Sequence, residues 1–345
     1  MAHPHQPSHR YRRIAGLALT AAVTLALAPA ANAADEKAAM LLPGSYNDQS
    51  WNALGYSGLQ KIGELGFEIA VSENVPDADD VASMQDYADQ GYNVVLGHSG
   101  RFLSAAQRVG PQFPDVQFIV GGGAGGLSPN VMSIDYDNAQ FGCQLGTLAA
   151  MMSKSGKIGG VYGLEGLPNI VAQAGGFRLC AKKAVPDITV TIVYMKNMED
   201  AAAAKEAALS LIADGADVLT GKLNAAQNGV IEAAKEKGVF VTGRSLSSVA
   251  NAPDAVLTNI IEKWDEMYGA AAKNTLEGTL SGEFVKYGYN TADATTGAAL
   301  VYADGAPFSP AVPAEVADAV MALSKSFADG SLTITPTPED ARGGR

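Results

Sequence analysis

From Ala38 onward the chain repeats one pattern: a short, nearly unbroken apolar run, then an amphipathic stretch that closes on a glycine. "AAMLLP" (38–43) precedes helical spacing over 51–65, and Gly66 follows where a left-handed residue commonly ends a last turn. "FEIAVSE" (67–73) precedes "DADDVASMQDYADQG", which has acids in its first turn and glycine at its end. "NVVLGHS" (93–99), "VQFIVGGG" (116–123) and "NVMSIDY" (130–136) are three more such runs, the first two separated by a helix that Pro111 shortens. Strands that are apolar throughout and alternate with helices belong to parallel sheets covered on both faces.

A long helical stretch, "DNAQFGCQLGTLAAMMSKSG", interrupts this series, and the alternation then starts again. "KIGGVYG", "ITVTIVYM", "ADVLTGK" and "VFVTGRS" are strands, each leading into or out of a helix. "GADVLTG" (215–221) echoes "GYNVVLG" (91–97). The two series, before about Tyr136 and after about Gly156, predict an α/β protein with two doubly wound parallel-sheet lobes, a hinge and a cleft between them. Residues 34–137 plus about 262–284 are expected in an N-terminal lobe, and 138–261 plus about 285–335 in a C-terminal lobe. "PAEVADAVMALSKSFADG" is the last helix, and 336–345 is expected to be a flexible, solvated tail.

Residues 1–33 have the pattern of a secretory signal peptide. Arg10, Arg12 and Arg13 give a basic start, "IAGLALTAAVTLALAPA" is a short apolar core, and Ala31-Asn32-Ala33 is a small-x-small cleavage site. No cysteine follows the apolar run, so a soluble periplasmic protein without a lipid anchor is expected. Without that segment the chain keeps 21 basic and 36 acidic residues, a net charge of −15. That balance argues against nucleic acid as a partner. His98 is then the only histidine, which excludes a histidine-based metal cluster, and no G-x-S-x-G elbow is present. No cofactor is expected. Cys143 and Cys180 both fall in helical segments; export permits a disulfide, and two buried thiols fit the sequence equally well.

Ligands of open α/β sheets bind beyond the carboxyl ends of the strands. The candidates at those positions are Asn47, Asp48, Trp51 and Asn52 after the first strand, His98, Ser99 and Phe102 after the third, and Gly122 after the fourth. Glu165, Lys222, Asn224, Arg244 and Asn259 hold the same places in the second series. Each has an ordinary structural use: Asn47 and Asp48 as helix caps, Trp51 as packing, Lys222 and Arg244 as solvated rim charges. The run "GGGAGG" (121–126) does not fit a dinucleotide fingerprint, because Pro129 intervenes before any helix. What points to a site is the shared rim. An indole beside amides and a carboxylate suits a planar heterocycle, with one group stacking and the others bonding to ring edges.

Several stretches resemble one family. These are "NDQSWNALGYSGL", "FPDVQFIVGGG", "KIGGVYGLEGLPNIVAQAGGFRLCAKKAVPDITVTIVYM" and "AALSLIADGADVLTGKLNAAQNGVIEAAKEKGVFVTG". They are similar to the basic membrane protein (BMP) family of ABC-transporter substrate-binding proteins, of the purine-nucleoside receptor type, over about Lys37 to Phe284. The resemblance implies a type I periplasmic-binding fold closing on a nucleoside or purine base, a monomer that delivers it to an inner-membrane permease, and no enzymatic activity. It places the family's stacking aromatic on Trp51 and its neighbouring asparagine on Asn52. The chain departs where the family commonly has an acid after "VFVTG": here stand Arg244-Ser245, and Lys222 occupies the loop after "ADVL". Two added cations are expected to favour a free base or a ligand with an anionic edge. Alternatives are a periplasmic sensor subunit that presents its ligand to a membrane receptor, or a nucleoside hydrolase using Asp48 or Glu165, which are expected on opposite lobes.

Overall fold

The apolar runs become strands in the order of the sequence. They are β1 (Lys37–Leu41), β2 (Glu68–Ser72), β3 (Val94–Gly97), β4 (Gln117–Gly121), β5 (Val131–Tyr136), β6 (Lys157–Tyr162), β7 (Thr189–Tyr194), β8 (Val218–Lys222), β9 (Phe240–Gly243), β10 (Val256–Glu262), β11 (Phe284–Tyr287) and β12 (Ala298–Val301). The helices are α1 (Trp51–Glu64), α2 (Asp80–Asp89), α3 (Leu103–Val109), α4 (Asn138–Met152), α5 (Pro168–Ala184), α6 (Ala201–Ala213), α7 (Gln227–Lys237), α8 (Leu246–Asn251), α9 (Trp264–Leu276) and α10 (Ala314–Ala328). This computed structural model describes residues 1–2, 36–47, 51–125, 128–291, 296–303 and 305–345. The expected signal segment therefore lies almost wholly outside the described residues.

The strands form two six-stranded sheets, ordered β11-β5-β4-β3-β1-β2 and β12-β10-β9-β8-β6-β7. All pairs are parallel except β10 with β12. Central strands such as β3, β4 and β5 are buried at every position, as largely apolar runs in a doubly covered sheet require, with the polar Gln117, Ser133 and Asp135 buried among them. The edge strand β7 alternates buried and half-buried residues through Val190 and Ile192. The chain changes sheets after β5, after β10 and after β11. β11 extends the first sheet to Tyr287, a few residues past the boundary expected near 284. The short helix α8 is an addition to the elements the sequence indicates; its six residues are too few for a helical period to show.

α4 carries the chain from the first sheet to the second and is buried along nearly its whole length. Asp137 caps it, accepting from Ala139 N and Gln140 N. Its contact with α5 is a backbone-to-backbone one. A Cβ on Gly142 would stand 2.2 Å from the Gln173 carbonyl oxygen, and one on Gly146 2.1 Å from that of Phe177. Cys143 and Cys180 form a disulfide across this helix pair, with Cα atoms 4.9 Å apart. Of the two pairings the sequence left open, the bridge is the one formed, and Phe327 of α10 packs over it.

The last ten residues are not a flexible tail. Arg178, buried on α5, donates to the carbonyls of Asp340, Arg342 and Gly344 at 2.8–2.9 Å. Gly344 and Ile192 exchange backbone hydrogen bonds on the edge of β7, and Ala341 is buried. The polar composition of "PTPEDARGGR" hid this docking, because the segment is held mainly through its backbone, with Ala341 its one core side chain.

Candidate functional site

The carboxyl ends of the strands in both sheets open onto one cleft of about 830 Å³. One wall is a single face of α1, where Trp51, Leu54 and Ser57 recur at three-residue spacing. The facing wall comes from the second sheet: Leu223, Asn224, Gln227 and Asn228 beyond β8, Arg244 to Ser248 beyond β9, and Ile261 and Glu262 at the end of β10.

Trp51 stands at the front of an aromatic cluster. Its ring stacks on His98, centroids 4.1 Å apart, and meets Trp264 edge-on at 5.1 Å. Its Nε1 donates to the His98 carbonyl at 3.0 Å. The buried His98 ring is fixed at both nitrogens: Nε2 is 2.8 Å from the Trp51 carbonyl and Nδ1 is 2.8 Å from the Tyr268 hydroxyl. A carbonyl can only accept, so Nε2 carries a proton, and in the neutral ring Nδ1 accepts from Tyr268. Three glycines make room for this cluster. A Cβ on Gly55 would lie 2.4 Å from the His98 ring, one on Gly58 2.4 Å from Tyr268, and one on Gly121 2.0 Å from the Tyr268 hydroxyl. The indole is therefore held by packing and by its own hydrogen bond before any solute arrives.

Behind the cleft lies a buried charge cluster that spans both sheets. Glu262 Oε1 accepts from Arg244 and is 3.7 Å from Lys222 Nζ, while Oε2 accepts from Trp264 Nε1 at 2.8 Å. Lys222 Nζ donates to the Tyr136 hydroxyl at 2.6 Å. That hydroxyl donates in turn to Gln173 at 3.0 Å. Asp135 is buried beside them. Its Oδ1 accepts from Tyr136 N, and its Oδ2 has no hydrogen-bond partner. Burial pushes the Asp135 carboxyl up to about 7, although the Lys222 charge pulls the other way. Burial also lowers Lys222 to about 8, with Glu262 opposing. For Glu262 the penalty of burial is outweighed by Arg244 and Lys222, which hold it at about 2. Arg244 is likewise kept above its ordinary value despite burial, chiefly by Glu262. Among the described residues no group of three or more His, Cys, Asp or Glu side chains is placed to hold a metal.

Over residues 35–293 the chain matches the family described as ABC transporter substrate-binding protein, PnrA-like. The chain belongs to that family. It is 27% identical over 294 residues to the transcriptional activator protein med of Bacillus subtilis (strain 168), covering 85% of this chain and 88% of that protein. It is 28% identical over 222 residues to a purine-binding protein of Brucella abortus (strain 2308), covering 64% of this chain and 62% of that one. Among solved structures it is similar to an ABC transporter solute-binding protein from Conexibacter woesei, with a TM-score of 0.68, 25% identity, and coverage of 87% and 99%. A transcriptional activator of the comK gene from Bacillus halodurans gives a TM-score of 0.72 at 23% identity, covering 87% of this chain and 100% of that one. The fold is the type I periplasmic-binding arrangement of two parallel-sheet lobes.

Within this family frame the expected site residues fall into three groups. Trp51, Asn224 and Arg244 line the cleft, and Gly122 (φ +72°) abuts the edge of the Trp51 ring. Others serve the scaffold. Asn52 Oδ1 accepts from Gly44 N at 3.0 Å, and His98 sits behind the indole. The Ser99 hydroxyl caps the turn by accepting from Arg101 N. Phe102 is wholly buried in the first-lobe core, and Asn259 is buried in the second sheet, donating to the Val301 carbonyl. Lys222 lies beneath the cleft wall. Asn47 and Glu165 are exposed and do not line the cleft, and Asp48 lies outside the described residues.

The two cations are not the free charges that the sequence suggested, because Glu262 answers both. The acid that pairs with them stands at the end of β10. Asp135, Trp264 and the serines at 247 and 248 are not nominated by the sequence. Asp135 does lie at a strand carboxyl end, the signal that also puts Ser245 and Glu262 on the rim.

Proposed function

We propose that this protein is the solute receptor of an ABC importer, working outside the cytoplasmic membrane, and that its solute is a small planar molecule of purine-base or nucleoside type. Family membership carries the receptor class. The purine-binding relative from Brucella and the immobilised Trp51 on the cleft wall support the solute class. The lobes would close on the ligand, with the indole against one face of its ring and Asn224, Asn228 and the α8 serines bonding to its edges. A membrane permease is the partner that such a receptor implies. The test is a thermal-shift screen of nucleosides, bases, carboxylates and sugars on protein refolded to strip bound solute, followed by calorimetry. Stabilisation by a purine compound with quenching of tryptophan fluorescence is expected. A screen in which only carboxylates or sugars stabilise would overturn the solute class.

The matches to proteins called transcriptional activators favour a second reading, a ligand-responsive regulator. The net charge of −12 weighs against direct contact with nucleic acid. Mobility-shift measurements at low salt would support this alternative if they gave a retarded DNA band.

A further inference from the structure

The charged groups that face the cleft say what kind of solute it admits. Among the described residues that line it, Arg244 and Glu262 are the charged ones, and they are bonded to each other. Their side chains are 15% and 2% exposed, so the pair is largely withdrawn from water. Both oxygens of Glu262 are already engaged: Oε1 accepts from Arg244 and lies 3.7 Å from Lys222 Nζ, and Oε2 accepts from Trp264 Nε1. Arg244 Nη1 is also committed, to the Leu223 carbonyl. The remaining polar lining is neutral: asparagine and glutamine amides, serine hydroxyls and the indole.

We infer that Glu262 is a specificity-determining residue: as the built-in counter-ion of Arg244 and Lys222, it makes the cleft select uncharged solutes and reject anionic ones. This rests on the solute-receptor reading above and adds the charge class of the ligand. An anion entering beside Arg244 must share the guanidinium with a carboxylate that already holds it. It would bring two negative charges together where little water screens them. A neutral solute leaves the pair intact and needs only hydrogen bonds from the amides and hydroxyls. Rejection by a placed like charge is a common means of discrimination.

The experiment is calorimetry with matched pairs: inosine against inosine monophosphate, and ribose against ribose phosphate. Wild type should prefer the uncharged member by about tenfold or more, and Glu262→Gln should narrow that ratio by roughly tenfold. The added bulk of phosphate is the same for both proteins, so the change in ratio reads charge. Because Glu262→Gln leaves two buried cations without their partner and risks unfolding, the double variant Glu262→Gln/Arg244→Gln, which leaves Lys222 alone unpaired, is measured beside it. It should move the ratio back towards that of wild type, which a merely structural role of Glu262 would not do. Equal affinity of wild type for both members of a pair, or a ratio unmoved by Glu262→Gln, overturns the inference. Binding of ribose over ribose phosphate with no binding of inosine upholds the charge rule and sinks the planar-solute reading. If no neutral member binds, the inference falls.

Discussion

Lys222, at the end of β8, reaches across the cleft floor to Tyr136, at the end of β5, and so ties the second sheet to the first. Its ammonium donates to the phenol oxygen at 2.6 Å and lies 4.5 Å from the ring centroid. This contact needs a charged lysine in a buried place, and Glu262 provides the counter-charge. The second carboxylate nearby, Asp135, has no cation of its own within bonding distance, and one of its oxygens has no partner.

That imbalance predicts a pH dependence. Burial holds Asp135 at about 7, above its ordinary 3.8. The folded protein therefore keeps this proton where the unfolded chain has lost it, and stability falls as pH rises from about 4 to about 7. Glu262, held at about 2, acts in the opposite sense, and its contribution is lost only as pH falls below its ordinary 4.5. Lys222, lowered to about 8, changes little below that value. Burial also raises Asp137 and Asp80, so the comparison is between variants. The urea midpoint of wild type should drop more steeply from about pH 5 to about pH 7 than that of Asp135→Asn. Parallel curves would show that Asp135 does not titrate in that range.

Trp51→Ala should weaken binding of an aromatic solute by about 1–3 kcal/mol, the usual worth of stacking one base on an aromatic side chain. The change removes the cleft-lining indole but leaves His98 hydrogen-bonded to Tyr268 and to the residue 51 carbonyl. Calorimetry reads the effect, with the urea midpoint as control for folding. Unchanged affinity would take Trp51 out of the site.

Much of the scaffold was legible because its rules are local. The buried strands β3, β4 and β5 are apolar at nearly every position, and Gly66 takes a left-handed conformation (φ +106°) just where the helical spacing ends. Trp51 was legible for a similar reason, since the first strand-to-helix turn must face the cleft. The charges were not. Arg244 and Glu262 are 18 residues apart, and Lys222 meets Tyr136 across 86 residues. No one-dimensional pattern announces a pair closed by neighbouring strands of one sheet, as Arg244–Glu262 is, or by the packing of two sheets, as Lys222–Tyr136 is. Phe102 and Asn259 failed differently: Phe102 follows β3 but its side chain is buried in the first-lobe core, and Asn259 is the middle residue of β10 rather than its end, because that strand runs on to Glu262. The ring cluster was invisible because Gly55, Gly58 and Gly121 read as ordinary helix and turn glycines until His98 and Tyr268 are seen to fill the space above them.

The disulfide closes a loop of sequence separation 37 between α4 and α5. Chain-entropy arguments give such a loop about 4 kcal/mol of stabilisation. The double variant Cys143→Ser/Cys180→Ser should lose about 2–4 kcal/mol in urea denaturation. The close glycine contacts of the helix pair remain, so the fold should persist with unchanged far-ultraviolet circular dichroism. A variant as stable as wild type would mean that the helix packing alone sets the stability of this region.

The docked carboxyl terminus makes the last prediction. Arg178 bonds to three backbone carbonyls of 340–344, and the Tyr194 hydroxyl donates to the Ala341 carbonyl. Replacing Arg178 with alanine removes a charged donor from three half-buried acceptors and should cost about 2 kcal/mol. The loss should also be local, freeing the tail before the lobes unfold. Arg342 is exposed, so brief trypsin treatment followed by mass measurement reads that release directly. Arg178→Ala should lose the final three residues markedly faster than wild type, while the rest of the chain survives. Equal cleavage rates would mean that the edge of β7, through Ile192 and Gly344, holds the segment without help from the guanidinium.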